Sequence, residues 1–105
     1  MDIRYGDSIS MHQLLESIDQ LDPEAIVYTW NTSSSLSPSS SLVLMEDEEY
    51  APSGSSYLLE VHLIKDVITV WSEWRDGRAP SLDEKCAAVA HYATHDAYIP
   101  TDKAG

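Results

Sequence analysis

Three groups of residues in this chain could do chemistry: the carboxylate run Glu46-Asp47-Glu48-Glu49, the histidine pair His91 and His95, and a single thiol, Cys86. Four adjacent carboxylates cannot share a dry site, because each makes ionising its neighbours costlier. In water they offer oxygen ligands to a hard cation or a negative surface to a basic partner. The EF-hand spacing Asp-x-Asp-x-Asp-Gly is absent, which weighs against calcium, and Tyr50 follows the run directly as an aromatic anchor. His91 and His95 lie four apart, so on a helix they share a face and could present two imidazoles to a metal. The segment His91-Tyr92-Ala93-Thr94-His95 lacks the glutamate of His-Glu-x-x-His, and no third ligand is specified. The pair therefore reads as structural or exposed, and no metal is expected. His12 and His62 are isolated. Cys86, in Lys85-Cys86-Ala87-Ala88-Val89, falls on an apolar stripe where cysteine acts as a small hydrophobe. With no Gly-x-Ser-x-Gly and no phosphate-cradling glycine loop, neither catalysis nor a cofactor is expected.

The elements that must position these groups can be read from spacing. Ser10 and Gln13 form a capping-box pattern ahead of Met11, Leu14, Leu15, Ile18 and Leu21, which predicts a first helix stopped by Asp22-Pro23. Ala25–Trp30 is β-branched and aromatic, hence a strand, and Trp30 at its end could be surface or core. Residues 31–41 hold seven serines and one proline without periodicity and predict a loop. Leu42–Met45 predicts a strand running into the acidic run. Tyr57–Val61 predicts another, after a small-residue loop at Ala51–Ser56. Ile64, Val67, Ile68, Trp71 and Trp74 form a helical stripe that Gly77 is placed to end. Ser81 and Glu84 make a second capping box, opening a third helix with Leu82, Cys86, Val89, Ala90 and Ala93 on its apolar face. A last short segment, Tyr98-Ile99, ends at Pro100. Residues 1–9 and 100–105 are expected as flexible ends of a single domain spanning 1–105. The expected class is α+β: a small antiparallel sheet of three to four strands packed against about three helices.

Composition narrows the function classes. An apolar fraction of 43 %, with three Trp, six Tyr and no Phe, is that of a folded domain rather than a disordered acidic tail. One cysteine permits no internal disulfide, and no apolar run approaches the roughly 20 residues of a membrane span. With no signal-peptide pattern at Met1–Asp7, the expected location is cytoplasmic. The net charge is −12, and it is concentrated: residues 1–60 carry −10 and residues 61–105 carry −2. Between Arg4 and Lys65 there is no Lys or Arg, yet there are ten carboxylates. Such a field attracts cationic partners and repels nucleic acid, and Arg75 with Arg78 is too small a basic cluster to reverse that.

Across roughly residues 11–99 the chain resembles a family of small acidic bacterial proteins. The carrying residues are Leu14-Leu15-Glu16-Ser17-Ile18 before the first strand and Leu42-Val43-Leu44 before an acidic stretch. A Leu-rich passage from strand to helix and the closing His95-Asp96-Ala97-Tyr98-Ile99 complete the likeness. The serine-rich loop at 31–41 departs from that pattern. Members are similar in size and architecture to immunity proteins that neutralise polymorphic or contact-dependent toxins. The resemblance implies a non-catalytic, stoichiometric inhibitor of a basic toxin domain. A nuclease suits the charge best, since its active site must be positive to hold phosphates. The expected contact surface centres on Glu46, Asp47, Glu48, Glu49 and Tyr50, with Glu60, Asp19, Asp22, Glu24 and Trp30 around it. Two alternatives stand beside it: a DNA-mimicking anti-defence inhibitor, or a non-catalytic subunit of a larger assembly. His95, Asp96 and Tyr98 are expected to lock the last turn to the sheet. The inhibitor reading requires Asp19–Glu24 and Glu46–Glu49 to converge on one face.

Overall fold

In the computed structural model, residues 4–30, 36–47 and 52–98 are described. The element order is β1 (Ser8–Ser10), α1 (Met11–Glu16), a 3-10 turn (Ile18–Gln20), β2 (Ile26–Thr29), β3 (Ser41–Met45), β4 (Ser56–Glu60), α2 (Val61–Glu73) and α3 (Leu82–His95). Among the described residues the strands form one antiparallel sheet in the order β1-β3-β2-β4. The α+β class expected from the sequence is the one found.

Strand alternation sends Ile9, Val27, Leu42, Leu44 and Leu59 to one face, where they share a core with Leu14, Leu15, Ile64, Val67, Trp71, Cys86 and Val89 of the helices. An irregularity in the β2–β4 ladder between Val27 and Tyr28 gives β4 an extra residue, so that adjacent Leu58 and Leu59 are both buried. On the opposite face Tyr28 and Tyr57 meet edge to face, with ring centroids 6.2 Å apart. No helix among the described residues is long and apolar enough to cross a membrane.

Each helix start shows how its free N–H groups are satisfied. At α1 the Ser10 hydroxyl accepts from Gln13 N–H at 3.1 Å, and Gln13 Oε1 accepts from Ser10 N–H at 2.9 Å. The next two N–H groups, of Met11 and His12, donate to the carbonyls of Ser40 and Pro38 at 3.0 and 2.9 Å. At α2 there is no side-chain cap; Val61 and His62 donate instead to the carbonyls of Ala25 and Pro23 at 2.9 and 3.0 Å. At α3 the second capping box forms as spaced in the sequence, Ser81 with Glu84. After α2, Asp76 and Gly77 take left-handed backbone angles (φ 57° and 82°), and Gly77 N–H donates to the Ser72 carbonyl at 2.8 Å. Glycine is suited there because it lacks the Cβ penalty.

Four expectations need correction. The first helix does not continue to Leu21: it ends at Ser17, whose N–H is shared between the Gln13 and Leu14 carbonyls, and the tighter 3-10 turn then directs Ile18 and Leu21 against the core. The end expected to be flexible, 1–9, contributes Ser8 and Ile9 to β1, because Ile9 has a core site opposite Leu42. The stretch expected as loop to residue 41 ends one residue sooner: Ser41 opens β3 and pairs with Ser10, while ahead of it Ser40 is buried and its hydroxyl accepts from Ser37 N–H at 2.9 Å. Tyr98 locks the last turn to α2 rather than to the sheet, packing its ring on Trp74 at 5.8 Å and on Tyr92 at 5.2 Å.

Candidate functional site

Antiparallel register decides where the carboxylates go. Ile26, the first residue of β2, faces Met45 near the end of β3 on one side and Glu60 at the end of β4 on the other. The segments flanking these three residues therefore share one end of the sheet: Asp22 and Glu24 lead into β2, Glu46 and Asp47 leave β3, and Glu60 closes β4. β1 runs against β3, and Gly6 N–H donates to the Leu44 carbonyl at 2.9 Å, which brings Tyr5 and Asp7 to the same end. Lys65 Nζ stands 3.8 Å from Asp19 Oδ1 and ties the 3-10 turn to the first turns of α2 beside it. Carboxylates from five chain segments thus form one acidic rim.

Tyr5 marks the point of convergence. Its phenol lies in the field of the Asp22 and Glu46 carboxylates. Burial, then the charges of Asp22 and Glu46, raise its phenol above the usual 10.0. A side chain that feels both carboxylates links the group before β2 to the group after β3, although the ring is still 43 % exposed. Asp22 is itself oriented, because its Oδ1 accepts from Glu24 N–H at 3.0 Å. Glu60 is held in a comparable way: the Tyr57 hydroxyl donates to one oxygen at 3.3 Å, and His62 Nε2 lies 2.7 Å from the other. Burial, then Glu60, raise the Tyr57 phenol. The rim therefore carries two exposed tyrosine rings, Tyr5 beside Asp22 and Glu46 and Tyr57 hydrogen-bonded to Glu60.

Of the residues expected in the contact surface, Asp19, Asp22, Glu24, Glu46, Asp47 and Glu60 come together here. Trp30 does not. It follows the last residue of β2, a strand of four residues or about 14 Å from the rim, and is 47 % exposed at the far end of the sheet. Glu48, Glu49 and Tyr50 lie outside the described residues. Tyr5, Asp7 and Tyr57 belong to the rim and were not among the expected contacts. The alternation Ser8-Ile9-Ser10, read as a strand, is the signal that would have carried Tyr5 and Asp7 there.

The described part of the rim is a negatively charged surface, and the one thiol of the chain lies apart from it. Cys86 is 2 % exposed in the core, and burial, then the charge of Asp83, push its thiol up to about 11, opposite to the shift a nucleophile needs. Among the described residues no three His, Cys, Asp or Glu side chains gather as a metal cluster. Comparison with protein-family models, curated proteins and solved structures returns no match.

Proposed function

We propose that this chain is a stoichiometric inhibitor of the immunity type, which binds a basic toxin domain, a nuclease for preference, through the acidic rim. The observation that carries the reading is the strand register, in which Ile26 faces Met45 on one side and Glu60 on the other, so that carboxylates spread over sixty residues of sequence flank one end of the sheet. A positive phosphate-binding cleft is the natural complement of such a surface. Charge matching of this kind speeds encounter, and aromatic rings within the charged field supply the short-range contact that slows release. Inhibition here is occupancy: the carboxylates stand where substrate phosphates would, and no bond is made or broken.

The test is association with the basic domain encoded beside this chain's gene, followed by surface plasmon resonance at several salt concentrations. The expected result is an association rate that falls steeply with salt. Glu24→Lys combined with Glu46→Lys, two exposed changes on separate segments, should weaken binding by orders of magnitude with an unchanged circular-dichroism spectrum. Undiminished affinity in that double variant would remove the rim from the interface. Failure of the wild-type chain to bind or inhibit the neighbouring domain would remove the inhibitor reading itself.

A further inference from the structure

The four histidines divide into two kinds. His12 lies 3.1 Å from Glu16 and His62 lies 2.7 Å from Glu60, so each has a carboxylate partner. His91 and His95 have none among the described residues; their rings are neighbours, with centroids 4.6 Å apart and planes inclined by 48°. That separation has a chemical meaning. An ion about 2.1 Å from each ligating nitrogen is about 3.2 Å from each ring centre, and an angle of about 90–110° at the ion then puts the ring centres about 4.5–5.2 Å apart. The observed distance falls inside that window, so the two rings already have the spacing of neighbouring ligands.

We propose that His91 and His95 form a two-imidazole site for an exchangeable divalent transition-metal ion of the zinc, copper and nickel class. Imidazole nitrogen is the ligand type those ions share, and two histidines one turn apart are a chelate that needs no backbone movement. The site occupies the last turn of α3, where the carbonyl ends of the helix carry partial negative charge and favour a cation. It opens on a groove of about 440 Å³ between α3 and the end of the serine-rich loop, lined by Leu36, Ser37, Ala90 and Thr94 as well as by the two rings. The groove leaves room for water to complete the coordination. With two protein ligands the ion exchanges freely and the fold does not depend on it. The site is separate from the acidic rim, and its existence does not rest on the inhibitor reading.

The experiment is a calorimetric titration of the metal-free chain with zinc chloride in a non-coordinating buffer, with the histidine ring resonances followed by NMR. Wild type should show one saturable transition and displaced signals from His91 and His95. His95→Ala, a change at an exposed position, and His91→Ala should each abolish the transition. His12→Ala combined with His62→Ala should leave it in place. Absence of saturable binding in wild type, unmoved His91 and His95 signals, or a transition that persists in His95→Ala would overturn the site. Loss of the transition in the His12/His62 variant would assign it to the glutamate-paired histidines and would overturn the site equally.

Discussion

The thiol of Cys86, pushed up to about 11 by burial and then by Asp83, stays protonated throughout the neutral range. Its pKa is higher folded than the 9.0 of a free thiol, so the stability it contributes is complete below pH 9 and is lost as pH rises towards about 11. Between those limits the urea midpoint of wild type should fall more steeply than that of Cys86→Ala. The raised phenols of Tyr5, Tyr57 and Tyr92 act in the same direction in both proteins, so the difference between the two curves isolates the thiol. Equal slopes would show that Cys86 ionises without cost. The role of Cys86 is legible in the sequence, because an apolar stripe on a helix surrounds it with Val89 and Ala90. The role of Tyr5 is not: what brings it to Asp22 is the backbone bond from Gly6 to Leu44, which joins residues far apart in the chain.

Whole elements are legible in proportion to how local their causes are. Both capping boxes, Ser10 with Gln13 and Ser81 with Glu84, are contacts across three residues and form as their spacing suggests. Ser81→Ala should lower the free energy of unfolding by about 1 kcal/mol in urea denaturation, the usual worth of an N-cap hydroxyl. Ser10→Ala should cost a similar amount while leaving α1 in place, because the Met11 and His12 N–H groups retain the Ser40 and Pro38 carbonyls. Ser40→Pro, which leaves the carbonyl but removes the N–H bonded to Ser37, should disturb that anchor more than Ser10→Ala does. Elements with distant causes are hidden. Three residues of β1 are too few to show periodicity, and the break at Ser17 interrupts a pattern in which Ile18 and Leu21 suit a continuous helix equally well. The buried Ser40 is concealed by the serines around it, since composition cannot distinguish the one that meets α1.

At the scale of the molecule, the concentration of charge in the first sixty residues is plain from the order of the amino acids alone. Its convergence is not, because convergence depends on which strand ends lie side by side. Carboxylates gathered in one rim repel one another, and salt screens that repulsion over a Debye length of about 8–10 Å at physiological ionic strength. Added sodium chloride should therefore raise the melting temperature. Glu24→Gln combined with Glu46→Gln should raise stability at low salt by about 0.5 kcal/mol and flatten that response. A melting temperature indifferent to salt in wild type would mean that the rim charges are too far apart to interact. The gain expected from neutralising them also implies that the rim is maintained at some cost to the fold, as binding surfaces often are.

Arg75 and Arg78 hold their guanidinium groups 4.3 and 4.7 Å from the Trp71 ring, beyond the end of α2. That helix begins beside Glu60 and runs for 13 residues, about 20 Å, before they are reached. Negative charge is thus massed at one end of α2, whereas at the other the two cations, Arg78 3.0 Å from Glu84, offset part of the charge of Glu73, Asp76 and Glu84. The imbalance gives the molecule a permanent electric moment along the helix. A positively charged body drawing near exerts a torque before any atoms touch, and the chain turns to meet it rim first.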